Sequence, residues 1–190
     1  MAVTEKRSAS RVWGVGVRQV VYMALGAALY AALSLPTNLI PVPSAGNVSL
    51  RPAIVIPLFF GVVFGPVVGF FTGLVGNTIS DLISGYGIVW FWELGNGILG
   101  LIAGLAIYWT WGHYTKTRNI VIAEVFSAVG IVVGLAIAAY SDIWVYKLTV
   151  GAATSEFVAA AGTDLVNGLI LLPILLVIYN AVARRRGRAV

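Results

Sequence analysis

The 190-residue chain has no cysteine, a single histidine and little charge: only 10% of its residues are Asp, Glu, Lys or Arg. The absence of cysteine removes any disulfide framework, thiolate nucleophile or cysteine metal site. One histidine argues against a multi-histidine metal centre and against His-based catalysis. The scarcity of charge argues against a soluble fold, since an average soluble domain carries roughly 25% charged residues. So few charges cannot cover a globule of this size without exposing large apolar patches. What fills the sequence instead is apolar, with 59% hydrophobic residues and a mean hydropathy of +0.95. This is the composition of an integral membrane protein, and 1–190 reads as a single membrane domain.

A helix needs about 20 mostly apolar residues to cross about 30 Å of hydrocarbon. The spans read as 17–35, closed by Pro36 and a loop rich in Pro, Asn and Ser; 52–64, which is short and contains Pro57; 66–84, opened by the Gly65-Pro66 turn signal; 90–111; 120–144; and 157–183. The expected fold is therefore an all-α bundle of six transmembrane helices with a short second helix. The first run exceeds a signal-peptide core of about 7–15 residues and has no A-x-A site before Pro36, so it reads as a retained helix.

Orientation follows from the basic residues. Lys6, Arg7, Arg11 and Arg18 precede or open the first span, Lys116 and Arg118 lie between the fourth and fifth, and Arg184, Arg185, Arg186 and Arg188 follow the sixth. Six spans put these segments on one side, which the positive-inside rule makes the cytoplasm. Both termini are then cytoplasmic, with tails at 1–16 and 184–190. The net charge of +5 reads as topology, and no nucleic-acid partner is expected. Only Arg51 and Lys147 fall outside this pattern.

Lipid tails are as apolar as Leu, so membrane helices associate through close packing at small residues. Ala24, Ala28 and Ala32 repeat at four-residue spacing, with Ala27 and Ala31 on the adjacent row. Gly61, Gly65, Gly69 and Gly73 share that spacing, and Gly100 with Gly104 and Gly130 with Gly134 add pairs. The glycines read as internal packing. The alanine row reads equally as internal packing or as a docking face for another membrane protein.

Ionisable side chains inside spans are costly and are functional candidates by default. On this topology they gather near the outer ends: Asp81 with Asn77, Glu93 with Asn96, Asp164 with Asn167, and Asp142. Three helices thus repeat a carboxylate with an Asn three or four residues away. Glu124 lies near the cytoplasmic end, where Lys116 or Arg118 could pair with it. Tyr86, Trp90, Phe91, Trp92, Tyr140, Trp144 and Tyr146 occupy the outer level. Singly, each aromatic fits an interfacial belt. As a group beside carboxylates and amides they fit an outward-facing pocket for a small planar polar molecule. Arg51 and Lys147 are candidate counter-ions or ligand contacts. No G-x-S-x-G elbow, H-E-x-x-H helix or P-loop is present. His113 lies in the cytoplasmic loop, so an enzyme is not expected, and bulky aromatics over the polar cluster argue against a channel.

The stretch Phe60-Gly61-Val62-Val63-Phe64-Gly65-Pro66-Val67-Val68-Gly69, running on to Gly73, Gly76, Asn77 and Asp81, is similar to the junction of spans two and three in S components of energy-coupling factor (ECF) vitamin transporters. Ala24, Ala28 and Ala32 match the alanine motif that packs on the coupling subunit in that family. The resemblance covers nearly the whole chain. It implies high-affinity capture of a vitamin or related micronutrient from outside, docking on a transmembrane coupling subunit bound to two ATPases, and release inward. Hydrolysis would belong to the partners, and no cofactor is expected. The implied site lies in the outer loops and outer halves of spans four to six. By position and chemistry the candidate binding residues are Asn77, Asp81, Tyr86, Trp90, Trp92, Glu93, Asn96, Trp144, Lys147, Asp164 and Asn167. A cobalt or nickel transporter is disfavoured because that group's histidine-bearing amino terminus is not seen.

Outer carboxylates (Asp81, Glu93, Asp142, Glu156, Asp164) outnumber outer cations (Arg51, Lys147), which favours a neutral or cationic ligand. Aromatic walls favour a flat ring. Thiamine or its pyrimidine precursor fits, as does another nitrogen heterocycle such as a deazapurine or flavin. The competing class is a membrane scaffold or assembly protein with no transport role.

Overall fold

The computed structural model describes residues 12–36 and 50–186. Residues 1–11 and 187–190 of the expected tails (1–16 and 184–190), most of the expected first outer loop (37–49) and the side chains of the basic cluster from Arg184 onward lie outside the described residues.

The described residues form helices and connecting turns, with no strand among them. Helix α1 is Val17–Ser34; a 3₁₀ turn at Pro52–Ile54 leads into α2, Val55–Phe64. Then come α3 (Pro66–Ser84), α4 (Trp90–Gly104), the short α5 (Ile107–Thr110), α6 (Thr117–Val145) and α7 (Val150–Arg186). Five helical segments are long and apolar enough to cross a membrane, and Pro52–Phe64 is a shorter apolar helix. The expected spans are therefore present as helices, the second of them short.

The boundaries follow local chemistry. Gly65 adopts φ +114°, a conformation that favours glycine, and Pro66 sits at the first position of α3, where its missing N–H costs nothing. Gly85, in the left-handed region at φ +82°, ends α3. The largest departure from the sequence reading is at α7, which starts seven residues before the expected 157. Thr149 explains it: its hydroxyl accepts the Ala152 N–H at 3.2 Å, capping the helix start. At 37 residues α7 is about 55 Å long, well beyond the hydrocarbon thickness.

In space α1 packs on α3, α3 on α4, α4 on α6 and α6 on α7, while short α2 touches α1, α3, α4 and α7. Glycines set these distances. A Cβ on Gly95 would lie 2.5 Å from the Gly134 carbonyl, one on Gly130 2.6 Å from the Leu99 carbonyl, and one on Gly104 2.6 Å from Pro66 N. Gly61 and Gly69 face Gly100 in the same manner. Helix α4 is thus pressed against backbone on two sides, and most of the glycine rows are internal packing, as expected. Gly65 is the exception, since it makes the turn between α2 and α3.

The alanines of α1 divide. Ala27 and Ala31 are buried with Tyr30, whereas Ala24, Ala28 and Ala32 are exposed beside Val20, Val21, Leu25 and Leu29. At the bundle end that carries the α2–α3 turn, Tyr114 donates to the Val62 carbonyl at 2.5 Å and Asn180 donates to the Tyr114 carbonyl at 2.6 Å. These bonds tie α2, the α5–α6 connection and α7 together.

Candidate functional site

At the opposite end, five helical segments and the residue preceding the 3₁₀ turn bring polar side chains into one network. Tyr30 of α1, fully buried, donates its hydroxyl to Asn96 Oδ1 at 2.8 Å. The Asn96 amide in turn donates to the Trp92 carbonyl of its own helix at 2.9 Å. Asn77 of α3 bridges two carboxylates through Nδ2: Asp81 Oδ2 at 2.8 Å, one turn along α3, and Glu93 Oε2 at 2.7 Å, across on α4. Glu93 is 1% exposed and sits in the first turn of α4, where the helix dipole favours a negative charge. Its other oxygen accepts from the Val89 N–H at 3.4 Å.

Arg51 closes the network from the loop side. Its Nη2 lies 3.0 Å from Asp164 Oδ2 on α7, and its Nη1 donates to Asn77 Oδ1 at 3.4 Å. The arginine side chain is 12% exposed and the aspartate side chain 0%. Burial alone would lower the guanidinium pKa, but Asp164 beside it, together with Tyr30 and Asp81 nearby, outweighs that and holds it above the usual arginine value. Arg51 is a fixed cation. On the neighbouring side, the Trp92 indole N–H donates to Asp142 Oδ2 of α6 at 2.8 Å.

Buried carboxylates need partners, and several atoms here have none from the protein. Asp164 Oδ1, Asp142 Oδ1, Glu156 Oε2 and Asn167 Nδ2 are buried without a hydrogen bond. Such atoms are costly to leave unfilled. They are three acceptors and one donor, so a molecule satisfying them would mainly donate.

Of the candidate binding residues, the structure joins Asn77, Asp81, Trp92, Glu93, Asn96 and Asp164 in this network. Asn167 lies one turn from Asp164 on α7 with its amide unfilled. Tyr86, Trp90, Trp144 and Lys147 are exposed; Trp90 and Trp144, 73% and 72% exposed, and Lys147 are not drawn in. Lys147 instead adopts φ +58° just beyond the end of α6, where Tyr146 N–H reaches the Asp142 carbonyl at 2.9 Å. Only the Asn77–Asp81 member of the three expected Asn–carboxylate pairs bonds within its own helix; Asn96 turns to Tyr30 and Asn167 stays unbonded. Glu124 is not paired with Lys116 or Arg118: both cations are exposed, and its Oε1 is buried without a partner.

Tyr30 is the residue that sequence reasoning missed. An isolated Tyr in an apolar helix resembles any core aromatic, and its only early sign was its place on the Ala27–Ala31 face. No group of three or more His, Cys, Asp or Glu suited to a metal occurs among the described residues.

The family of S components of ECF-type riboflavin transporters matches residues 14–183. The chain belongs to that family. This S component is also similar to a solved structure described as the S component of a bacterial ECF transporter, with a TM-score of 0.58 at 17% identity, over 88% of this chain and 96% of that one. At that identity the likeness concerns the fold. Among curated proteins it is 42% identical over 77 residues to a UPF0397 protein of Vibrio atlanticus, 40% of this chain and 41% of that protein. It is 40% identical over 76 residues to a UPF0397 protein of Streptococcus sanguinis, 40% of this chain and 41% of that protein. The matched stretch spans about two fifths of the length of the curated relatives.

Proposed function

We propose that this S component captures a small heteroaromatic vitamin on the outer face of a prokaryotic cell membrane and delivers it through an ATP-driven uptake complex. The observation that carries the reading is the convergence of α1, α3, α4, α6 and α7 with Arg51 on one buried polar network in which Asp142 Oδ1 and Asp164 Oδ1 are unfilled, as are Glu156 Oε2 and Asn167 Nδ2 elsewhere on α7. A bundle held only by packing gains nothing from buried, half-satisfied carboxylates. A site awaiting a hydrogen-bonding ligand does.

The ligand would meet Asn77, Asp81, Trp92, Glu93, Asn96, Asp164 and Asn167 at the floor and walls. Tyr86, Trp90, Trp144 and Lys147, exposed near the outer ends of their helices, form the proposed rim. Both termini are proposed to be cytoplasmic. Partners are a transmembrane coupling subunit, reached through the exposed Ala24, Ala28 and Ala32 row, and two ATPase subunits. The exposed alanine row supports this: small side chains at four-residue spacing on a helix surface allow a partner helix to approach its backbone.

Two substrate readings remain. A flavin-type ring is favoured by the family description and by the preponderance of acceptors, which suits ring N–H and hydroxyl donors. Thiamine or its pyrimidine precursor is favoured by the excess of carboxylates over cations. Mass spectrometry of the ligand retained by the purified protein, followed by titration of the apo form, tests the function. A heteroaromatic vitamin bound at submicromolar concentration is expected. A protein that retains none and binds neither riboflavin nor thiamine overturns the reading.

A further inference from the structure

Counting charges leaves both a neutral and a cationic ligand open, but the geometry changes that count. Asp81 and Glu93 each accept from the Asn77 amide, Asp142 accepts from Trp92, and Asp164 is ion-paired to Arg51. Four of the five outer carboxylates therefore already have a protein donor. Asn77 is also held in one sense. Its carbonyl accepts from Arg51 Nη1 and from the Tyr30 hydroxyl, each at 3.4 Å, while its Nδ2 faces the two acids, so the guanidinium and Tyr30 together order the donor that serves them. The network has a built-in cation at its centre, and Lys147 lies exposed outside it.

We propose that Arg51 is a specificity-determining residue: its guanidinium occupies, between Asp164 and Asn77, the place a cationic ligand would need, so the site accepts uncharged heteroaromatic ligands and rejects cationic ones. The proposal rests on the vitamin-capture reading and deepens it. Two like charges a few ångströms apart repel strongly where water is scarce. Arginine suits the role because it stays charged and its planar fork engages two partners at once. A ligand cation would have to displace Arg51 from Asp164, leaving a buried guanidinium without its counter-charge. An uncharged ring loses nothing on that account and can donate to Asp164 Oδ1, which Arg51 leaves unfilled.

The test measures riboflavin, which is uncharged, against thiamine, which is a cation, on the detergent-solubilised full chain, with thiamine read by competition up to millimolar concentration. Wild type is expected to bind riboflavin at least 100-fold more tightly. Arg51→Gln should lower that ratio at least tenfold, through tighter thiamine binding. Asp164→Asn should raise it at least tenfold, and Arg51→Lys should keep it within threefold. A purely structural role for the pair predicts that both neutralising variants shift affinity in the same direction. Thermal unfolding establishes which variants fold; if Arg51→Gln does not, the rise in Asp164→Asn decides. Ratios that stay within threefold of wild type, or that move together, overturn the proposal. Wild type preferring thiamine overturns the role of Arg51 and leaves vitamin capture intact. Binding of neither compound overturns both.

Discussion

Arg51 and Asp164, 113 positions apart in sequence, meet at 3.0 Å at the polar end of the bundle. The pair joins the residue preceding the 3₁₀ turn to α7. Buried ion pairs are poor sources of net stability, yet losing one member is severe because the other stays charged and unpaired. Asp164→Ala or Arg51→Ala should therefore cost about 3 kcal/mol or more, read as a fall in the thermal unfolding midpoint in detergent. Replacing both, as in Arg51→Met with Asp164→Leu, should recover much of that loss. Equal destabilisation by single and double variants would contradict this account.

Ligand affinity should depend on residues of the network that add little to folding. Glu93→Gln keeps the shape and removes the charge; Trp92→Ala removes the indole that serves Asp142. Each should weaken binding at least tenfold, or about 1.4 kcal/mol, with circular dichroism unchanged. Unaltered affinity in both would rule out the pocket. Tyr30→Phe is expected to cost about 1–2 kcal/mol of stability, since Asn96 Oδ1 would lose its donor.

The glycine contacts make a sharp contrast. Gly95→Val and Gly134→Val each drive a side chain into the facing backbone of α6 or α4, where nothing flexible can yield. Neither variant should purify as a monodisperse protein. Gly151→Ala adds a Cβ in open space and should leave the unfolding midpoint unchanged or slightly raised. Size-exclusion chromatography in detergent separates these outcomes.

The two alanine rows of α1 should respond differently. Ala28→Trp, on the exposed row, is expected to abolish co-purification with the coupling subunit while leaving ligand affinity within twofold. Ala27→Trp, on the buried row, should destabilise the fold itself. Retained complex formation by Ala28→Trp would remove this face from the proposed interface.

Much of the fold was legible because its signals are local. Gly65-Pro66 and Gly85 mark the ends of α3 by backbone chemistry alone, and apolar length marks the spans. The start of α7 was missed because a Thr149 cap looks like any loop threonine until its hydroxyl meets Ala152 N–H. The site was legible as a group of unusual polar residues but not as a network. Spacing put Asn96 with Glu93 and Asn167 with Asp164; packing instead turned Asn96 toward Tyr30 and placed Arg51 on Asp164. The exposed Trp90 and Trp144 show the same limit, since aromatic content says nothing about which rings turn inward.

By itself, the sequence determined the membrane class, the helical segments and their breaks, and the collection of carboxylates at one end, because each depends on composition or on residues within a turn or two. The tertiary structure decided which carboxylates are satisfied and by what, that Arg51 is the network's internal cation, that Tyr30 belongs to it, and that one alanine row is buried while the next faces outward. Those outcomes depend on how closely helices approach and at what rotation. That is set jointly by glycines on α2, α3, α4 and α6, and no single helix carries the information.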